Sequence, residues 1–326
     1  MQQTNHTSNH TEQGRSNAAQ CNNPEQAPAY RPERVEGLTI LVTGVNGFIG
    51  RRLAAQLCRL GFIVHGLDVA VPAEQDQIPL ANFYEQDIAE AFHLTTAFDY
   101  VFHLAALNLT NVGQASNDDF HQINVQGTRH VFEAVVAQHF VFMSTAKVYR
   151  QEGLPLEEHS PVDPIGLYEK SKWEAEGFLQ SHGEEMGLTI FRPVNIVGPG
   201  QAPKALLPVL FERALCDHPL EIFAPRKTLM QLLHVDDAID AFSRLLLRPS
   251  TREVINLAPA DCIRLDSLAE KIVSLTHSSS AIFYTNDQPV VFSPVIARKA
   301  KDLLGWNARF QVEDILQDYQ RSFINS

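Results

Sequence analysis

Between the apolar run Ile40-Leu41-Val42-Thr43 and an amphipathic stretch that opens at Phe48, the chain reads Gly44-Val45-Asn46-Gly47-Phe48-Ile49-Gly50. Few architectures accommodate three glycines between a buried strand and a helix. In a parallel sheet the first strand ends at a crevice, where Gly44 permits the tight turn and Gly47 lets the backbone approach a pyrophosphate. Gly50 then lets the helix pack close to the strand. The helix start offers free N–H groups and a positive dipole end to phosphate, so Asn46, Phe48 and Ile49 are dinucleotide-contact candidates with the glycines. A second apolar run, Phe62-Ile63-Val64-His65-Gly66-Leu67, ends on Asp68, the acid that a ribose 2′-hydroxyl requires about 20 residues after the loop. Its carboxylate repels a 2′-phosphate, which favours NAD over NADP, although Arg51 and Arg52 stand nearby.

From Leu38 onward, unalternated Val/Ile/Leu/Phe runs alternate with helix-length amphipathic stretches. That rhythm predicts an α/β fold, a doubly wound (Rossmann) parallel sheet over 37–195 with 230–250 returning to it. Beyond Gly198 the rhythm loosens, and 196–229 with 251–326 reads as a small, partly discontinuous C-terminal substrate domain. Residues 1–36 hold ten Asn or Gln and almost no large aliphatics, the composition of a disordered tail.

Composition excludes several functions. No uninterrupted apolar stretch reaches membrane-spanning length and no secretory leader is visible, so the expectation is a cytoplasmic protein without a membrane partner. The net charge of -12 argues against a nucleic-acid partner. Cys21, Cys58, Cys216 and Cys262 stand far apart, and no His or Cys spacing suits a metal.

Further motifs follow in order: Asp87-Ile88; His103-Leu104-Ala105-Ala106; Asn124-Val125-Gln126-Gly127-Thr128; Ser144-Thr145; Tyr168-Glu169-Lys170-Ser171-Lys172; Arg192-Pro193-Val194-Asn195; and His234-Val235-Asp236-Asp237. With the G-x-x-G-x-x-G loop they make the chain, from about Leu38 to Trp306, resemble the extended short-chain dehydrogenase/reductases, the NAD-dependent epimerase/dehydratase family. The resemblance implies that Asp87 and Ile88 lie near the adenine. It also implies that Leu104, Ala105, Ala106, Asn124 and Val194 belong to the NAD site, and that the protein is a homodimer.

Tyr168 and Lys172 are four apart on a predicted helix, so they share one face. A phenol of pKa near ~10 is a poor base at neutral pH, and a nearby ammonium lowers that value. The pair therefore suits proton exchange at a substrate hydroxyl during hydride transfer, with Lys172 also holding the nicotinamide ribose. The resemblance adds a hydroxyl that polarises the substrate oxygen; register gives Thr145, and Ser144 is the adjacent alternative. Relatives that are 4,6-dehydratases follow this Thr with Asp-Glu, acid and base for the elimination of water. Here Ala146-Lys147 stands there, with Lys147 either a substrate-facing cation or a solvated lysine.

The Arg with which sugar-nucleotide-binding relatives clamp the diphosphate is Met230 in this chain. Arg226 and Lys227 are displaced candidates, or an exposed turn, and Asn195 matches a residue that donates to the substrate. Arg192 is expected in a salt bridge and Asp236-Asp237 at a helix cap. The leading expectation is an NAD-dependent epimerase or oxidoreductase acting at C4 of a nucleotide sugar. A 3-hydroxysteroid-like or other small-alcohol dehydrogenase, and a non-catalytic NAD-sensing protein, are the alternatives.

Overall fold

The computed structural model describes residues 37–71, 78–108, 110, 114–248, 251–286 and 290–324. The tail expected at 1–36 lies outside these described residues. The first half runs β1 (Thr39–Thr43), α1 (Phe48–Arg59), β2 (Ile63–Asp68), β3 (Asn82–Glu85), β4 (Ala97–His103), α2 (Asn117–Phe120), α3 (Gly127–Ala134) and β5 (Val136–Met143). A π-helical turn, His121–Gln126, joins α2 to α3. There follow α4 (Leu167–Ser181), β6 (Gly187–Pro193), β7 (Asn195–Val197), α5 (Leu206–Leu215), β8 (Leu220–Pro225), β9 (Leu229–Met230), β10 (Leu232–His234) and α6 (Val235–Leu245). The last elements are β11 (Arg252–Leu257), β12 (Ile263–Arg264), α7 (Leu265–Leu275), β13 (Ile282–Asn286), α8 (Arg298–Leu304) and α9 (Val312–Ile324).

Seven strands make one parallel sheet in the order β11-β6-β5-β4-β1-β2-β3. Its strands read as continuous apolar runs because helices cover both faces. Ile40 and Val42 of β1 face one core with α1 and α6, whereas Leu41 faces the other with α3 and α4. Alternation along the strand sends neighbours to opposite faces. A third cluster joins α5, α7 and α9 over β8.

The sequence reading places all of 251–326 in the second region, and here the structure differs. Arg252–Leu257 pairs in parallel with β6 as an edge strand of the main sheet. Ile255 and Leu257 join the core that holds β1, as do Ala300 and Leu304 of α8 and the buried Trp306. The reason is that every residue of β6 is buried, so a neighbour must satisfy its backbone, and Arg-Glu-Val-Ile-Asn-Leu is the run that can.

β1 sits between β2 and β4, so strand order reverses beside it and the crevice outside its end is a natural ligand seat. Gly44 turns the chain there with φ +68°, and a Cβ on it would lie 2.8 Å from both N and Cα of Ala105. A Cβ on Gly50 would lie 2.1 Å from the Gly44 carbonyl oxygen, which is how closely α1 packs on the turn. Gly61 has φ +84° but open space around it. Gly61→Ala is therefore expected to cost about 1–3 kcal/mol from backbone strain alone. Gly44→Ala is expected to cost more, because strain and backbone overlap act together. Urea unfolding of both variants checks the ranking, and equal losses would count against the crowding.

Candidate active site

The glycine loop is tied to both neighbouring strands. The Gly44 N–H donates to Leu67 O at 2.8 Å, and the Asn46 N–H donates to Asp68 Oδ2 at 2.9 Å. Asp68 thus stands at the end of β2 beside the loop. The α1 N-terminus has no side-chain cap and no acid in its first turn, so its opening amides, at Phe48, Ile49 and Gly50, are left for an anion. On the other side, Leu104 and Ala105 donate their N–H groups to Thr43 Oγ1, both at 3.2 Å. Ala106, half-buried, continues this turn. Ile88 points into the core against Gly127, and its carbonyl accepts from His130 Nδ1 at 2.8 Å. Of that pair only Asp87 stays exposed.

From Thr43 a buried polar thread crosses the sheet end. Thr43 Oγ1 meets His103 Nδ1 at 2.8 Å, His103 Nε2 meets Thr128 Oγ1 at 3.0 Å, and Thr128 Oγ1 donates to Asn124 O at 2.6 Å. The Asn124 amide clasps the Leu107 backbone and donates to Ser171 Oγ at 2.9 Å; Ser171 in turn donates to Tyr168 O at 2.8 Å. These bonds occupy the Asn124 side chain, which positions the loop after β4 against α4 rather than facing the crevice.

α4 presents Tyr168, Lys172 and Glu176 along one face. Lys172 is buried with its Nζ 4.7 Å from the Phe142 ring centre. Burial pulls its ammonium down to about 7, with Glu176 opposing, and its charge helps burial hold His103 at about 3. The sequence reading expects Lys172 to lower the Tyr168 phenol. In the structure burial pushes the phenol above its ordinary range, with Glu169 adding to the rise. A lysine itself held near neutrality lends less charge to its neighbour.

Ser144 and Thr145, alternatives in the sequence, separate here. Ser144 Oγ donates to Glu176 Oε1, and Glu176 is gripped by Arg192 through Nε at 3.0 Å and Nη2 at 2.6 Å. The ion pair is almost wholly sealed, with the Arg192 guanidinium between the rings of Tyr149 and Trp173. Among the described residues Thr145 Oγ1 accepts only the Lys147 N–H, at 3.2 Å, and remains available to a ligand. Glu176 was not among the sequence candidates, although its i+4 spacing from Lys172 could have revealed it. Asp237, expected to cap α6, is instead fully buried and accepts the N–H groups of Arg309 and Phe310; His234 caps the helix by accepting the Asp236 N–H.

Thr145, Tyr168, Ser144 and Met143 line a cavity of about 410 Å³ together with Phe48 and Ile49 of α1. A second cavity, about 660 Å³, shares Lys147, Val194 and Asn195 with the first and extends past Glu169, Met230, Val290 and Val291. Burial draws the Lys147 ammonium below the ordinary lysine range, with Glu169 opposing. Arg226 lines neither cavity. It pairs with Asp266 at 3.5 Å and lies over Tyr284, because the turn before β9 carries it to the α7 side. It is therefore no replacement for the arginine that Met230 displaces.

Residues 40–258 match the model of the NAD dependent epimerase/dehydratase family. Among curated relatives, a probable dTDP-glucose 4,6-dehydratase of Sinorhizobium fredii is 27% identical, over 83% of this chain and 89% of that protein. A UDP-N-acetyl-alpha-D-glucosaminuronate decarboxylase of Bacillus cytotoxicus is 28% identical, over 75% and 82%. Among solved structures, the UDP-glucose 4-epimerase of Thermotoga maritima with UDP-glucose matches with TM-score 0.78 at 24% identity, covering 88% of this chain and 99% of that one. The UDP-glucuronic acid 4-epimerase of Bacillus cereus with UDP-glucuronic acid and NAD gives 0.77 at 22%, covering 89% and 100%. These likenesses show a shared fold.

Two outcomes follow from this geometry. Glu176→Ala leaves the Arg192 charge buried and unpaired, and is expected to destabilise the protein by about 3–5 kcal/mol, read by chemical denaturation. For Lys172, the folded state binds fewer protons than the unfolded chain between about 7 and the unfolded value near ~10.4, so stability attributable to it rises with pH across that window. Wild type is expected to gain on Lys172→Met from pH 7 to 10; a constant difference would contradict a depressed lysine.

Proposed function

Because the chain belongs to the NAD dependent epimerase/dehydratase family and its cofactor is accordingly NAD, we propose that it acts on a nucleotide sugar, by 4-epimerisation or 4-keto reduction. The carrying observation is that Thr145, Tyr168, Lys147 and Asn195 converge on adjoining cavities whose wall includes the start of α1, the helix opened by the glycine loop. The close approach at Gly44 and Gly50 and the uncapped amides fit a dinucleotide pyrophosphate. Asp68 would take the ribose hydroxyls and disfavour a 2′-phosphate, and Lys172 would hold the second ribose. When bound, NAD supplies hydride acceptance at the sugar carbon and hydride return.

The residues of this chain handle the oxygen. Burial holds the Tyr168 phenol protonated in the free protein, so it must first lose its proton when the site fills; its Oη would then take the sugar hydroxyl proton as the sugar carbon is oxidised and give it back when the carbon is reduced. Thr145 Oγ1 donates a hydrogen bond to the same oxygen and steadies the charge that grows there. Lys147 and Asn195, at the junction of the cavities, hold the sugar and its diphosphate. Ala146 is buried and aliphatic, and with Lys147 beside it the chain lacks the Asp-Glu carboxyl pair that serves 4,6-dehydratases as acid and base, which supports a reading other than dehydratase despite the names of several relatives.

The apolar wall at Met230, Leu229, Val290 and Val291 favours a second reading, oxidation of a small apolar alcohol. Thermal stabilisation by millimolar UDP- or dTDP-sugars distinguishes the two, and its absence favours the apolar substrate. Under the main reading, purified protein isomerises or reduces such a sugar, and Tyr168→Phe lowers kcat by about 10²–10⁴-fold. Turnover unaffected by Tyr168→Phe, or calorimetry with no NAD binding, would overturn it.

A further inference from the structure

A groove of about 500 Å³ runs between α1 and α6, and none of its lining residues borders either cavity described above. In a chain with net charge -12, this groove gathers the guanidiniums of Arg52, Arg59, Arg244 and Arg309 against the carboxylates of Asp236 and Asp240. We propose that it is a second anion site, built for a ligand carrying a di- or triphosphate.

Three of the four cations are fixed from behind. Arg52 donates from Nη2 to Pro199 O at 2.6 Å and pairs through Nη1 with Asp236 at 3.3 Å. Arg244 donates from Nε to Asp240 Oδ2 at 2.8 Å and from Nη1 to Gly305 O at 2.9 Å. Arg309 rests its Nε on Asp237 Oδ1 at 3.3 Å, and that carboxylate is fully enclosed. The two carboxylates of the groove are thus each already answered by an arginine. Both Nη atoms of Arg309 and of Arg59 have no hydrogen-bond partner among the described residues, Arg59 making only a 3.4 Å bond from Nε to Ala55 O.

Such an arrangement suits phosphate. A guanidinium presents paired N–H donors that match two phosphate oxygens at once, and held side chains lose less freedom on binding. Four guanidiniums bordering one groove offer more donors than a single phosphate uses, and a chain of two or three phosphates can match them. Ala55, Leu60 and Ile239 make part of the wall apolar, which leaves room for the base of a nucleotide beside its phosphates.

The test is calorimetric titration of the full chain, saturated with NAD, with sodium tripolyphosphate and separately with ATP at about 150 mM salt. Binding of one equivalent below millimolar concentration is expected, weakened at least tenfold by Arg59→Glu. That exposed helical position keeps the test valid should Arg309→Gln, which removes the charged partner of buried Asp237, fail to fold. Lys147→Ala is expected to leave the affinity unchanged. Tighter binding of ATP assigns a nucleotide, and equal binding assigns the bare polyphosphate. No binding, or binding lost in Lys147→Ala and retained in Arg59→Glu, overturns the proposal. Neither result touches the catalytic reading, which stands on the other cavities.

Discussion

The arrangement of this molecule depends on one buried thread of hydrogen bonds. It leaves Thr43, at the root of the glycine loop, passes through His103 and Thr128, and ends through Asn124 and Ser171 on the backbone of Tyr168. Each donor along it is matched, and an unmatched group in so dry a place would be costly. The loop that would seat a pyrophosphate and the helix that carries the phenol are therefore fixed relative to one another by side chains that touch neither ligand.

The same dryness governs the charges. Lys172 lies over an aromatic ring and close enough to His103 for its charge to be felt there, so burial moves both toward their neutral forms. Tyr168 is moved the other way, toward its protonated form. Glu176 is the counterweight: Arg192 closes on its carboxylate and Ser144 donates to it. Position on α4, one turn after another, sets whether a group is free to exchange a proton or is locked into the frame.

Much of this was legible from residue order. The glycine spacing and the strand before it announced the switch point, and the apolar runs announced a sheet covered on both faces, because both signals are local. Helical spacing put Tyr168 and Lys172 on one face of a helix, and α4 carries them so. What escaped depended on contacts far apart in sequence. Whether Ser144 or Thr145 stays free is decided by Glu176, more than thirty residues on. The fate of Arg226 is decided by Asp266 and Tyr284, which no local pattern connects to it. The last strand of the sheet is hidden in the sequence because its six residues follow a loosened rhythm, and only pairing with β6 identifies it.

That last strand carries a consequence for the order in which the chain is made. β6 is buried along its whole length, yet its outer neighbour, Arg252–Leu257, leaves the ribosome more than fifty residues later. Until then a newly made chain holds a bare, apolar sheet edge, the kind that recruits strands from other molecules. Synthesis stalled between the two would leave the nascent chain dependent on chaperones, and any fragment ending before residue 252 would inherit the same sticky border.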